Sequence, residues 1–210
     1  MDREMSCIDC RAYRCKENRK DALPEFCPMG REGADAIYDR ALELTNSAEH
    51  NEFYVKSSEI EKDFYGSMPR VRETIELIKR MGYSKVGLAF CSGLVNEARI
   101  FSELCREHGI NIIGVMCKSG GKDKTETGLG ENKKLKPGQF EAMCNPVGQA
   151  LMLNEMGTEF NVVMGLCVGH DSLFYKFSEA LCTTVLAKDR VTGHNPVVAL
   201  YQKDGYFKNK

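Results

Sequence analysis

The sequence predicts an α/β fold: a small doubly wound parallel sheet of about four strands, preceded by a cysteine-rich metal knuckle and helices. Three observations carry this. Four short apolar runs (85–90, 110–116, 161–166 and 182–188) alternate with segments of helical periodicity, the pattern of βαβ units joined by right-handed crossovers. Three of the four runs lead directly into a cysteine, Cys91, Cys117 or Cys167. The first thirty residues carry four more cysteines in a segment with almost no apolar material.

Taken in order, residues 7–27 place Cys7, Cys10, Cys15 and Cys27 at C-x2-C-x4-C-x11-C spacing. So polar a segment cannot order itself by hydrophobic burial, and a metal held by four thiolates is the natural source of order. Arg11, Arg14, Lys16, Arg19 and Lys20 are interleaved and would offset the thiolate charge. The opening spacing is that of a zinc knuckle with Cys in place of His, while Cys27-Pro28 matches the ending of iron–sulfur runs. Zinc and an iron–sulfur cluster therefore both stand as cofactors for this site.

Residues 31–83 read as a helical segment. Ala36, Ile37, Ala41, Leu42 and Leu44 predict an amphipathic helix over 33–48, and Phe53, Val55, Ile60 and Phe64 a second over 52–64. A third has Ser67 as its cap, Pro69 near its first turn, Val71, Ile75, Leu77 and Ile78 as its inner stripe, and Gly82 as its stop. The domain reading is thus 1–30 for the knuckle, 31–83 for the helices and 84–210 for a Rossmann-like or flavodoxin-like domain.

In that last domain a helix follows Cys91-Ser92-Gly93 and runs to about His108. Residues 118–140 form a long Lys- and Gly-rich loop, the kind that serves as a lid or stays disordered. Its SGGKDKT piece is not a phosphate loop, because Asp123 follows Lys122 where Ser or Thr is needed. Pro146 suits the first turn of a helix ending near Gly157, with Val147, Ala150, Leu151 and Met152 expected inward. After the strand at 161–166, Asp171 is placed to cap the next helix, and a last helix begins near Pro196.

If the strand order is 2-1-3-4, Cys91, Cys117 and Cys167 come from adjacent strands, about 4.8 Å apart, at the edge where open α/β sheets bind ligands. Cys144, just before a helix, would join them from the loop side, and His170 and His194 could add nitrogen ligands or act as acid and base. Cys91, Cys117, Cys144 and Cys167 are therefore the candidate cofactor site, for a metal, a cluster or a small thiophilic ligand. Cys105 and Cys182 fall within elements and read as packing residues. A competing enzyme reading makes Cys167 a nucleophile, His170 or His194 its base, and the amides of residues 169–172 the anion site.

Composition narrows the classes. The net charge is -1, so no general basic field argues for nucleic acid, and too few aromatics flank the basic knuckle to stack on bases. No apolar run reaches membrane-spanning length and the first ten residues lack a signal-peptide core, so a cytoplasmic location is expected. In that reducing compartment the ten cysteines are expected to be thiols or metal ligands, with a metal ion or a redox partner as the binding partner.

The combination of CIDC…C…CP, FCSGLVNEA, GVMCK, GLCVGHDSLF and KDRVTGHNP resembles a family of cysteine-rich, predicted metal-binding proteins of archaea and anaerobic bacteria to which no reaction is assigned. The resemblance covers nearly the whole chain. It implies that Cys7, Cys10, Cys15, Cys27, Cys91, Cys117, Cys144, Cys167, His170, Asp189, Arg190 and His194 are the pattern residues.

Overall fold

The computed structural model describes residues 5–208 and divides into two compact units, residues 1–58 and 59–210. The boundary falls inside the second helix, so the predicted helical segment is shared between the two units.

In the first unit the chain closes on itself where Ser6 N donates to Phe26 O at 3.0 Å, drawing the neighbourhoods of Cys7 and Cys27 together. Short 3₁₀ turns follow Tyr13 (Arg14–Glu17) and Cys27 (Pro28–Gly30). Helix α1 (Ala34–Thr45) forms as its periodicity predicts, but only Ala34 is buried, and Ile37 and Leu42 of its apolar face are exposed. Helix α2 (Asn51–Phe64) begins in this unit, and its buried residue, Ile60, lies in the part that belongs to the second.

The second unit holds the sheet. Helix α3 (Arg70–Met81) buries Thr74, Ile75 and Ile78 and stops at Gly82. Ser67 does not cap it: its Oγ donates back to Phe64 O at 3.0 Å, closing the end of α2, and Pro69 takes the N-cap position. The strands β1 (Lys85–Phe90), β2 (Asn111–Met116), β3 (Phe160–Met164) and β4 (Leu181–Leu186) pair in parallel in the order β2-β1-β3-β4. This is the doubly wound order on which the convergence of the cysteines depends. The intervening helices are α4 (Val95–Glu107), α5 (Pro146–Glu155) and α6 (His170–Phe177), and a short α7 (Val197–Tyr201) follows β4.

The two faces of β1 meet different helices. Leu88 and Phe90 share a groove with Val95, Ala98 and Arg99 of α4, whereas Gly87 sits under Leu153 of α5 and Asn161 of β3. The core strands β1 and β3 are buried almost throughout, which is why their sequences are continuous apolar runs and not alternating ones. Asn161, fully buried, accepts from Thr158 Oγ1 at 2.9 Å and donates to Ser178 Oγ at 2.8 Å, so its amide joins the β3 entry to the α6–β4 turn. Arg70 ties α3 to β4, its Nε donating to Thr184 O at 2.6 Å and its Nη2 to Thr183 Oγ1 at 3.0 Å.

Helix α5 corrects one expectation. Its inner face is Pro146, Gln149, Ala150 and Leu153, while Leu151 and Met152 are 54% and 48% exposed. The spacing 146, 149, 150, 153 is the helical stripe, and a polar residue occupies one of its inner positions. Helix α6 corrects another. Gly169, at φ 82°, is its N-cap, and Asp171 lies within the first turn, accepting from Ser172 N at 2.9 Å.

The 118–143 segment is ordered by its own polar groups. Asp123 caps a 3₁₀ turn (Lys124–Thr127) in a capping box with Glu126. Lys134, only 8% exposed, meets Asp123 Oδ1 at 3.0 Å and donates to Gln139 O at 2.7 Å. Among the described residues, no helix is long and apolar enough to cross a membrane.

Candidate functional site

Every strand of the sheet delivers side chains to its carboxyl edge. Cys91 and Cys117 follow the last residues of β1 and β2, and the backbone is pinned there: Cys117 N donates to Phe90 O at 2.9 Å and Cys91 N to Met164 O at 3.2 Å. Past β3 the chain turns at Gly165, φ 65°, where a Cβ would lie 2.1 Å from Leu94 Cδ1. Glycine alone satisfies both the left-handed backbone and that close approach, and the turn carries Leu166 and Cys167 over the sheet edge. Cys144 arrives from the far end of the 118–143 loop, held by Asn145 N donating to Cys117 O at 2.7 Å.

The four sulfur-bearing residues converge. Cys91, Cys117, Cys144 and Cys167 wall one small cavity together with Pro146, Gln149, Leu166 and His170. Its volume is about 10 Å³, the room of a single water-sized sphere. Cys91 and Cys117 are buried, Cys144 and Cys167 partly so. All four are free thiols in this arrangement, and among the described residues no three Cys, His, Asp or Glu side chains stand at metal-binding distances. The pocket therefore gathers four soft donors without the spacing that would hold a metal ion.

Its electrostatics are uneven. The Cys117 thiol hydrogen-bonds the Cys144 sulfur, and this bond, with the Lys118 ammonium nearby, pulls the Cys144 thiol down to about 6 against burial and the neighbouring Cys167. The same bond and its own burial push Cys117 well up, although Ser92 N donates to its sulfur at 3.3 Å. Cys167 Sγ accepts from Arg190 Nη2 at 3.2 Å, and that contact, with the charges of Cys91 and Cys144, holds the guanidinium more firmly protonated. Lys188 Nζ and Cys91 Sγ both border Gly93, at 3.5 and 3.9 Å from where a Cβ would sit. Lys118, Lys188 and Arg190 thus surround the sulfurs with positive charge. A divalent ion with four thiolates carries about -2, a charge that cations so placed would offset.

The remaining site expectations divide. His170 lines the cavity at the start of α6. His194 is not among the lining residues; at φ 67°, it closes a loop in which its Nδ1 accepts from Asp189 N at 3.1 Å. Asp189 carries Val191 N and Thr192 N on its carboxylate, so this part of the motif shapes the turn that presents Arg190. The Cys167 sulfur accepts from a guanidinium and not an imidazole. Cys105 is fully buried, with its thiol pushed up to about 12, and Cys182 is raised by burial as well.

In the first unit Cys7 and Cys15 are exposed, Cys10 is half-buried and Cys27 buried. Cys10 N donates to Cys7 O at 3.2 Å in a tight turn. Cys15 lines a separate small pocket with Asn18, Arg19, Lys20, Leu23 and Met29, apart from the other three cysteines. The structure thus brings the ends of this segment together, and among the described residues no three of its cysteines stand at metal-binding distances. Sequence reasoning missed Gln149, Lys118 and Lys188 at the sheet-edge site. The spacing along α5 marks Gln149 as inner; Lys118 directly follows the strand-end Cys117, and Lys188 lies two residues past the end of β4.

Two comparisons place the chain among known proteins. Residues 28–185 match the family described as "Protein of unknown function (DUF1847)". The Uncharacterized protein MJ0455 of Methanocaldococcus jannaschii is 41% identical over 186 residues, covering 89% of this chain and 93% of that protein. The family match takes in all four pocket cysteines and begins at Pro28, just after the N-terminal set. On both grounds, the chain belongs to the DUF1847 family.

Proposed function

We propose that this protein binds a soft metal ion in the thiol pocket at the carboxyl edge of its sheet, through Cys91, Cys117, Cys144 and Cys167, for a metal-handling or redox role. The observation that carries the reading is the convergence of these four cysteines, from separate segments, on one cavity. Four soft donors suit zinc or iron–sulfur chemistry better than hard cations, and the cavity between them has the room of about one water-sized sphere. Lys118, Lys188 and Arg190 would balance the thiolate charge. Binding would displace the proton that Cys117 shares with Cys144 and draw the sulfurs together. The N-terminal cysteines Cys7, Cys10, Cys15 and Cys27 are proposed as a second, knuckle-like zinc or iron–sulfur site, supported by their spacing in a segment poor in apolar residues.

Metal analysis of anaerobically purified protein tests this. Cys117→Ser with Cys144→Ser should remove about one equivalent, and Cys10→Ser with Cys15→Ser about one other. Unchanged metal content in the first double variant overturns the pocket site, and in the second the knuckle.

One observation favours a second reading. Cys117 and Cys144 share a hydrogen bond and their thiols are displaced in opposite directions, the arrangement of an attacking and a resolving thiol. In this reading the two thiols lose two protons and two electrons to an external two-electron oxidant and form one disulfide. Peptide mapping after mild oxidation should find Cys117 joined to Cys144; pairing of either with another cysteine would refute it.

A further inference from the structure

The two edges of the sheet are finished differently. Along β4, Arg70 of α3 sets its guanidinium on Thr184 O and Thr183 Oγ1. Along β2, no strand pairs with the outer side among the described residues. The β2 sequence, NIIGVM, has no charge or proline, and its register with β1 has no bulge, so the usual devices that discourage edge pairing are missing.

Successive residues of a strand turn their backbone groups to opposite sides. Cys117 N donates inward to Phe90 O, so Val115 and Ile113 also face β1, and Ile112, Gly114 and Met116 present their backbone groups outward. At the ends this outer row is already occupied: Ile110 N donates to Cys105 O at 3.0 Å, and Met116 O accepts from Ser119 N at 3.1 Å. The open stretch is therefore Ile112 and Gly114, centred on Ile113. The same two residues line an apolar groove of about 240 Å³ with Leu88, Phe90 and Val95, and Arg99 of α4 borders it. Gly114 is exposed, and a Cβ there would meet only the Phe90 ring, at 3.4 Å. Glycine thus leaves a notch at the strand edge.

We infer that the chain pairs with a second copy of itself through β2, antiparallel about a two-fold axis at Ile113, so that the two sheets become one. Ile112 of each copy then stands opposite Gly114 of the other as a hydrogen-bonded pair, and its side chain enters the notch that the glycine leaves. The axis keeps both α4 helices on one face of the joined sheet. Because α4 packs on β1 and β2 alike, the two helix axes fall two strand spacings, about 10 Å, apart, close to the distance at which helices pack. The helices run antiparallel there. Arg99 and Glu103, both exposed and one turn apart, exchange places under the axis, so that each guanidinium meets a carboxylate of the other copy. This pairing does not depend on the metal reading.

Sedimentation of the full chain tests it, with a reductant present so that the exposed Cys7 and Cys15 cannot link copies. A dimer is expected at micromolar concentrations, with the Ile112 and Gly114 amides protected from hydrogen exchange and released on dilution to monomer. Ile112→Lys puts a charge on the edge and should weaken the dimer at least about tenfold. Arg99→Glu sets carboxylate against carboxylate twice per dimer and should weaken it by at least about tenfold as well. Combining Arg99→Glu with Glu103→Arg restores the opposite charges and should return the affinity to within about threefold of the native chain. A monomer at every concentration, freely exchanging Ile112 and Gly114 amides within a dimer, a dimer indifferent to Ile112→Lys, or a double variant no better than Arg99→Glu each overturns the pairing. If Ile112→Lys does not fold, the charge-swapped pair decides, since both of its positions are exposed.

Discussion

The depressed thiol of Cys144 gives a pH-dependent signature that can be worked out in advance for the metal-free protein. With Cys144 pulled from the ordinary 9.0 to about 6, about nine-tenths of it is thiolate at pH 7, against about one-hundredth for an ordinary thiol. That is a gain of about ninetyfold in the reacting form. The lower basicity takes most of it back: a Brønsted slope of about 0.4–0.5 over three pH units costs about twentyfold in intrinsic nucleophilicity. The net advantage at pH 7 is therefore only about fourfold, but at pH 5 it grows to about fortyfold, because the ordinary thiol has by then lost its thiolate. The diagnostic is the midpoint of the profile, not the rate at neutrality. Dithiodipyridine, followed by optical release and site mapping by mass spectrometry between pH 4 and 9, reads it directly. Cys144 should titrate near pH 6. Cys117→Ala removes the hydrogen-bond donor, the largest cause, and should move the midpoint up by more than Lys118→Met does. A wild-type midpoint near 9, or no movement in Cys117→Ala, would refute the reasoning.

Other expectations concern the scaffold. Gly165→Ala places a methyl 2.1 Å from Leu94 Cδ1 at a left-handed backbone position; strain and overpacking together should cost about 2–4 kcal/mol in urea unfolding, and a loss below about 0.5 kcal/mol would show that the turn relaxes freely. Arg70→Met removes two hydrogen bonds from α3 to β4 and should lower stability by about 1 kcal/mol, with faster hydrogen exchange confined to β4 and α3; uniform exchange changes would contradict a local tie. Lys134→Met leaves Asp123 and Glu131 without their shared cation and should speed proteolysis within 118–143 while leaving the urea midpoint nearly unchanged; equal protease resistance would count against the ion cluster as the loop's organiser. The Asp123 carboxylate is held well below its ordinary range by the Thr125 and Glu141 amides. A depressed carboxyl loses its contribution only as pH falls through its folded-state value, so loop protection should persist at pH 4, and a loss between pH 5 and 4 would oppose this.

The parts of this fold that were legible in the sequence are those where one physical signal dominates. Continuous apolar runs identify β1 and β3 because both their faces are covered, and the strand-end positions of Cys91 and Cys117 follow from the run lengths. The convergence of the pocket cysteines required the strand order, which periodicity does not encode but the crossover rule favours. What was not legible depended on geometry between distant segments. Gln149 is a buried glutamine whose purpose shows only when the carbonyls of Phe90 and Val115 are brought over it. His194 reads as a site residue in one dimension, yet its ring serves the turn at Asp189. Leu151 and Met152 are apolar yet lie on the outer phase of α5, so apolar character alone does not place them.

The long excursion between the pocket cysteines Cys117 and Cys144 is closed at its base. Asn145 N reaches Cys117 O at 2.7 Å, Met143 N reaches Lys122 O at 2.8 Å, Lys124 N reaches Glu141 O at 3.0 Å, and Lys118 Nζ reaches Ala142 O. The positions of the two sulfurs are thus fixed by the stem, and the twenty or so residues beyond it can change length at small entropic cost. This makes the tip a natural point of variation. A homologue could lengthen it, trim it or graft a recognition element there without disturbing the two sulfurs at its base. In an engineered version, a reporter or affinity handle inserted near Gly128 or Gly138, both at positive φ, would be carried by the tip while the stem went on holding Cys117 and Cys144 in place.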